Sequence, residues 1–75
     1  MNPPPPKVGA RFRDKRGHLY HVRGIVDYRV VEGEPYYQVV LRTYVRGYWK
    51  YEIVGSWAFG AGLYKPGRRR KECVE

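Results

Sequence analysis

Residues 36 to 46 read Tyr-Tyr-Gln-Val-Val-Leu-Arg-Thr-Tyr-Val-Arg, and this stretch decides the fold class. Apolar and polar side chains alternate along it, as they do in a β-strand that has one buried face. We predict that the core face consists of Tyr37, Val39, Leu41, Thr43 and Val45. The outward face then consists of Tyr36, Gln38, Val40, Arg42, Tyr44 and Arg46.

The segments on either side of this strand also have the composition of strands. The chain has three Ala and three Leu, and β-branched and aromatic residues dominate its centre, which disfavours a helical fold. Turn signals at residues 14–17, at 32–35, and at either 46–47 or 47–48 divide the chain into strand segments. In the segment from 48 to 54, we predict that Trp49, Tyr51 and Ile53 share the half-buried face. Tyr48, Lys50 and Glu52 then lie on the opposite face.

Two glycine-containing segments complete the fold prediction. Gly24 interrupts a strand, where glycine is typical of a bulge, and a bulge there lets Ile25 replace Val26 on the inside. The stretch from 55 to 60 predicts a short turn rather than a helix, followed by an edge strand, with Trp57 or Phe59 filling the core. We therefore predict an all-β fold, a small five-stranded SH3-like barrel made of a strongly bent antiparallel sheet.

The two ends of the chain differ from its centre in composition. Residues 1–6 include four consecutive prolines, which predicts a stiff proline-rich leader outside the sheet. Residues 7–64 are predicted to form the barrel domain. Residues 65–75 contain a Pro-Gly break and then a basic run, and we predict a disordered, flexible basic tail.

Length and cysteine content narrow the class of protein. Seventy-five residues make one domain with a small core. Cys73 is the only cysteine, so no intramolecular disulfide forms, and a reducing, cytoplasmic setting is expected. No apolar run approaches the roughly 20 residues that a membrane span requires, so we expect a soluble protein without a membrane partner.

Several short motifs carry a resemblance to known small barrels. Val8-Gly9, Phe12-Arg13-Asp14, Gly17 and the stretch from Tyr20 to Val26 are similar to the opening of KOW and Tudor-type barrels of the SH3-like fold. That resemblance implies loops and strand edges that contact RNA, DNA or a polymerase-associated protein. The chain also resembles a short family of uncharacterised bacterial domains. The residues that carry this second resemblance are Phe12-Arg13, Arg16-Gly17, Tyr20-His21-Val22, Tyr37 to Arg42, and Trp49.

Residues that support catalysis are scarce in this sequence. Ser56 is the only serine, and neither histidine has a cysteine or paired carboxylates beside it in sequence. His18 and His21 are three positions apart, which on a strand places them on opposite faces and disfavours a shared zinc ion. No glycine-rich phosphate loop occurs. We predict no enzyme activity, no cofactor and no metal site.

The charge balance favours an anionic partner. Fifteen Lys and Arg oppose seven Asp and Glu, giving a net charge of +8, and ten of the cations are arginine. We therefore predict DNA or RNA as the partner. The first candidate site is an outward platform of Arg42, Tyr44, Arg46, Tyr48 and Lys50, in which rings stack on bases and cations contact phosphates. A second basic patch consists of Lys7, Arg11, Arg13, Lys15 and Arg16, and the tail adds Arg68, Arg69, Arg70 and Lys71.

Other interpretations of the same residues stay open at this point. Tyrosines suit the exterior of a sheet and pair with arginines by cation–π contact without any ligand. Exposed aromatic and arginine residues also fit a protein-interaction module, for instance a small phage or mobile-element regulator that docks on an acidic partner. A third interpretation is a subunit of a small homo-oligomer, whose tyrosine-rich face is the subunit interface.

Overall fold

A computed structural model of the chain describes residues 2–67, and most of these residues lie in strands. In chain order the elements are β1 (Arg11–Arg13), β2 (Leu19–Val31), β3 (Glu34–Val45), β4 (Tyr48–Gly55), α1 (Ser56–Gly60) and β5 (Lys65–Pro66). The strands form one five-stranded sheet in the order β4-β3-β2-β1-β5, and all neighbours are antiparallel. The predicted β-rich fold with an antiparallel sheet is confirmed.

The core lies on one face of this sheet, which we call the inner face. On β3 the prediction is confirmed for Tyr37, Val39, Leu41 and Thr43, which are buried, whereas Val45 is half-buried. The neighbouring β2 contributes Tyr20 and Val22 to the same core. Leu41, Val22 and Val39 are the largest fully buried side chains among the described residues. The opposite face of the sheet, which we call the outer face, carries the remaining side chains of these strands.

Two tight turns set the registers of the long strands. Glu32 and Gly33 both have positive φ, and so do Arg46 and Gly47. Two successive positive φ angles define a type I′ turn, whose twist matches that of the strands it joins. The second turn therefore places Tyr48 directly opposite Val45, and every later pair of β3 and β4 follows from it.

The predicted bulge at Gly24 is present. Val22 is opposite Leu41, but Gly24 is opposite Val40, so one residue of β2 is inserted there. As predicted, Ile25 packs against the core while Val26 is exposed. A second irregularity follows between Val26 and Arg29, around Asp27 with its positive φ. Bulges increase local twist, so these two irregularities add twist to β2.

The predicted orientation of β4 is wrong. Trp49, Tyr51 and Ile53 were expected in the half-buried face, but they are 49%, 58% and 64% exposed. The physical reason is the turn before β4. Because Tyr48 is opposite Val45, the alternate residues Lys50, Glu52 and Val54 share the inner face with Thr43, Leu41 and Val39.

The segment after β4 forms one helical turn, so the prediction of no helix there is also wrong. Ser56 and Ala58 are buried in α1, whereas Trp57 is 65% exposed. Phe59 is the aromatic residue that packs against the core. Its ring centroid lies 5.0 Å from that of Phe12 and 5.2 Å from that of Tyr64. Phe59 therefore closes the inner face, and Trp57 does not.

Both ends of the described part of the chain, residues 2–67, contact the sheet. The proline-rich leader lies outside the strands, and the Tyr37 hydroxyl donates a hydrogen bond of 2.9 Å to the Pro3 carbonyl. At the other end, β5 pairs with β1, and the Gly67 amide donates to the Arg11 carbonyl at 2.9 Å. Residues 65–67, assigned by sequence to the tail, thus extend the sheet. The rest of the predicted tail lies outside the described residues.

Candidate nucleic-acid interface

A row of four side chains crosses the outer face. Arg11 on β1 is opposite His21 on β2, His21 is opposite Arg42 on β3, and Arg42 is opposite Tyr51 on β4. Directly opposed residues of antiparallel strands point to the same side of a sheet. We call these residues the cross-strand row. With strands roughly 4.8 Å apart, the row spans about 14 Å.

Two further aromatic residues adjoin this row. Tyr44 is opposite Trp49, and their rings meet edge to face with centroids 4.9 Å apart. The Arg42 guanidinium carbon lies 4.1 Å from the centroid of the Trp49 ring, which is a cation–π contact. About half or more of the surface of Tyr44, Trp49 and Tyr51 is exposed. We call the cross-strand row together with Tyr44 and Trp49 the Arg-aromatic face.

His21 lies at the centre of a cluster of arginines. Partial burial lowers the pKa of His21 below its usual 6.5, and the charges of Arg42, Arg11 and Arg23 lower it further. The imidazole is therefore neutral at pH 7, and the positive charge of the row resides on its arginines. Neither Nδ1 of His21 nor Nε of Arg42 has a hydrogen-bond partner among the described residues, although both atoms are buried. An unpaired buried polar atom costs folding free energy, but His21 also makes a hydrogen bond with the Arg42 backbone.

The predicted platform is divided between two faces. Arg42 and Tyr44 lie on the outer face as expected. Tyr48 and Lys50 are opposite Val45 and Thr43, so they belong to the inner side of the sheet. Arg46 lies in the turn between β3 and β4. The prediction that these five residues form one surface is therefore corrected, and the cause is the register set by the turn.

The predicted second patch is also divided. Arg11 joins the cross-strand row, and Arg13 is opposite Leu19 on the same outer side of β1. The Nη1 atom of Arg13 donates a hydrogen bond of 2.7 Å to the Gly17 carbonyl. Lys15 and Arg16 instead line a pocket at the end of the inner face. Lys7 is exposed before β1, and Arg68, Arg69, Arg70 and Lys71 lie outside the described residues.

The sequence prediction of the site omits five residues that the structure places on the outer face or beside it. Lys65 on β5 is opposite Arg13, which adds a cation beside β1. The full set of missed residues is His21, Arg23, Trp49, Tyr51 and Lys65. One available signal was the tight turn at 46–47. A two-residue turn pairs position 45 with 48, and counting onward pairs 42 with 51 and 44 with 49.

The pocket at the end of the inner face has mixed charge. Its volume is about 440 Å³, and its lining includes Asp14, Lys50 and Glu52. Burial would raise the pKa of Asp14, but hydrogen bonds from the His18 amide, the Tyr20 hydroxyl and the Arg16 amide hold it below 3.8. Burial, and then the charges of Glu52 and Asp14, raise the pKa of Tyr20 to about 12. The Lys50 ammonium lies 3.7 Å from a Glu52 carboxylate oxygen, so its charge is partly neutralised.

Comparisons of the chain with protein-family models, curated proteins and solved structures found no match. Within residues 2–67, no three His, Cys, Asp or Glu side chains are grouped so that they would hold a metal ion. The same residues contain no helix that is long and apolar enough to cross a bilayer.

Acidic residues are segregated from the Arg-aromatic face. Asp14 and Glu52 lie at the inner-face pocket. Asp27, Glu32 and Glu34 lie on the far half of the β2–β3 hairpin. No carboxylate of the described residues belongs to the Arg-aromatic face, whose charge is therefore of one sign. Such a surface attracts anions and supplies exposed flat rings beside them.

Proposed function

We propose that this protein binds nucleic acid through the Arg-aromatic face and performs no catalysis. The observation that carries the proposal is the cross-strand row, in which Arg11, Arg42 and Tyr51 share one face of four adjacent strands. Arginine forms bidentate contacts with phosphate, and aromatic rings stack on bases. The same surface therefore carries arginines that bind the phosphate of a nucleotide and rings that stack on its base.

The electrostatics of the chain support this proposal. The net charge of +8 is large for 75 residues, and the carboxylates of the described residues lie away from the Arg-aromatic face. A polyanion therefore meets attraction at this face without local repulsion. Neutralised phosphates release their counterions, which supplies much of the binding free energy and makes it depend on salt.

The aromatic residues support it independently of charge. A structural role accounts for the contact of Arg42 with Trp49, since cation–π pairs stabilise sheet surfaces. Cation–π pairing does not account for Tyr51, whose ring has no stacked ring or guanidinium partner among the described residues and remains 58% exposed. An exposed ring beside arginines is the arrangement expected of a stacking surface.

We further propose that the sheet curls into an open SH3-like barrel. Two irregularities bend β2, the last strand returns to pair with β1, and α1 with Phe59 covers the inner face. These features are consistent with the resemblance of residues 8–26 to KOW and Tudor-type barrels. The binding surface would then be the outside of the barrel wall.

The test is fluorescence polarisation with labelled RNA and DNA, single- and double-stranded, at low and rising salt. We expect binding that weakens steeply with salt. The double variant Arg11→Gln with Arg42→Gln should bind at least about tenfold more weakly, because it loses two phosphate contacts. Its matched control, Arg46→Asn with Lys50→Gln, removes the same charge and should bind nearly as the parent does. No binding of any of the four nucleic acids at low salt would refute the proposal.

One observation favours a second candidate function, assembly into a homo-oligomer. Strand β4 lies at an edge of the sheet and pairs only with β3 among the described strands. It also exposes Trp49, Tyr51 and Ile53. An unpaired edge with apolar side chains is a template for pairing with another strand. Light scattering at micromolar concentration tests this candidate, because a monomer at all concentrations would rule it out.

A further inference from the structure

The exposed rings of the Arg-aromatic face indicate which form of nucleic acid fits it. Tyr44 and Tyr51 are each 58% exposed, and Trp49 is 49% exposed. In a duplex the faces of the bases are covered by their neighbours, whereas in a single strand they are free to stack on protein rings. We infer that the ligand is a single-stranded polynucleotide; this inference rests on the proposed function.

Tyr51 is the ring best placed to receive a base. Trp49 already has the Arg42 guanidinium 4.1 Å from its ring centroid and the Tyr44 ring against it at 4.9 Å. Tyr51 has neither kind of partner among the described residues. It also stands directly opposite Arg42. A base stacked on Tyr51 therefore brings its own phosphate within reach of the arginines of the cross-strand row.

Neither the helix nor the β2–β3 hairpin of this protein is well suited to bind in a groove of duplex DNA or RNA. Within residues 2–67, helical structure is confined to α1, which has five residues and is too short to serve as a recognition helix. The β2–β3 hairpin is a two-stranded ribbon of the kind that fits a major groove. However, its far half carries the carboxylates of Asp27, Glu32 and Glu34 against one cation, Arg29, and phosphates repel carboxylates.

A single strand bound across the row meets two kinds of contact in succession. Its phosphates lie near Arg11 and Arg42, which are separated by the neutral His21. Its bases lie toward β4, over Tyr51 and the accessible part of Trp49. Stacking tolerates any base, because every base has a π-face, so binding shows little sequence preference.

The test uses three labelled ligands with the same number of phosphates per strand. They are a single-stranded oligonucleotide, the blunt-ended duplex of the same sequence, and a single strand that lacks its bases. The first two are prepared both as DNA and as RNA. We expect the single strand to bind at least about tenfold more tightly than the duplex or the abasic strand. Tyr51→Ala should weaken single-strand binding by about 5- to 100-fold and leave duplex binding unchanged.

Tyr48→Ala is a matched control, because Tyr48 lies on the same strand, is 59% exposed and belongs to the other face. It should leave single-strand affinity unchanged. Tyr51→Leu keeps an apolar side chain but lacks a π-face, so it should also weaken single-strand binding. It therefore tests the role of the ring even if the alanine variant folds poorly. Equal binding of single strand, duplex and abasic strand would overturn this inference and leave the proposed function standing. Equal effects of the Tyr51 and Tyr48 variants would also overturn it, and no binding of any ligand would refute both proposals.

Discussion

The guanidinium carbon of Arg42 lies 4.1 Å from the centroid of the Trp49 ring, although the two residues are not directly opposed. Arg42 is opposite Tyr51, and Trp49 is opposite Tyr44, so the contact runs diagonally between β3 and β4. Diagonal neighbours in a sheet lie within reach of long and aromatic side chains. The contact therefore depends on the register of this hairpin, and a one-residue slip would dismantle the Arg-aromatic face.

Arg42→Lys tests the planar shape of the guanidinium separately from its positive charge. Lysine keeps the positive charge but cannot stack on the Trp49 ring or bind phosphate bidentately. We expect affinity for nucleic acid to fall severalfold, while the slope of log affinity against log salt stays nearly constant because the same charge is present. Polarisation titrations at several salt concentrations measure both quantities. Arg46→Lys, in the adjoining turn, should change neither, and an equal loss from both variants would contradict this account.

Gly47→Ala tests the turn that fixes the β3–β4 register. Gly47 has φ of +92°, a conformation that an alanine adopts only with strain. We expect a loss of about 1–2 kcal/mol in the free energy of unfolding, measured by urea denaturation. Gly24→Ala is the control, because its φ lies outside the left-handed region and no atom lies within 4 Å of the added Cβ. A stability loss in Gly24→Ala as large as that in Gly47→Ala would contradict the assignment of the turn.

His21 makes the stability of the protein depend on pH. Its folded-state pKa is lowered below 6.5 by burial and then by the charges of Arg42, Arg11 and Arg23. The stability that this group contributes is therefore complete above pH 6.5 and is lost as the pH falls through 6.5 toward the folded-state pKa.

Thermal unfolding between about pH 7.5 and pH 5 measures this loss. His21→Gln should remove that part of the pH dependence, whereas His18→Gln should retain it. Asp14 does not interfere, because its pKa lies below 3.8 and its own contribution is lost only at lower pH. A melting temperature that falls equally in the parent protein and in His21→Gln would refute the assignment to His21.

Leu41→Ala tests the position of the core. Leu41 is fully buried on the inner face of β3, and its truncation leaves a cavity. We expect a loss of about 2–5 kcal/mol, which is a large part of the stability of a small domain. Ile53→Ala is the control on the neighbouring strand, since Ile53 is 64% exposed, and it should cost at most about 0.5 kcal/mol. A large loss from Ile53→Ala would instead place that residue on a buried face of β4, in line with the half-buried face that the sequence pattern predicts.

Much of the fold could be predicted because local chemistry determined it. The alternation from Tyr36 to Val45 identified the buried face of β3, and Gly24 marked the bulge that brings Ile25 inside. The α1 turn could not be predicted from its composition, because its formation depends on packing Ala58 and Phe59 over the sheet. Tertiary contacts of that kind have no local signature.

The candidate site was only half predictable. Arg42 and Tyr44 were placed correctly, because the β3 pattern is unambiguous. The hydrophobic pattern of β4 places Tyr51 and Trp49 on the half-buried face, whereas the register of the preceding turn places them on the outer face. On an edge strand with aromatic residues exposed, hydrophobicity misleads, whereas counting from the tight turn gives the correct face. The row with Arg11 and His21 also required the pairing of distant strands.

The central claim is that nucleic acid binds the outer Arg-aromatic face, and backbone and side-chain NMR shift mapping tests it most directly. The 75-residue chain is titrated with a short single-stranded oligonucleotide at low salt. We expect the Trp49 indole and the backbone amides of Arg11, His21, Arg42 and Tyr51 to shift together and saturate at one affinity. Shifts confined to Tyr48, Lys50, Lys15 and Arg16, with the Trp49 indole unmoved, would contradict the claim.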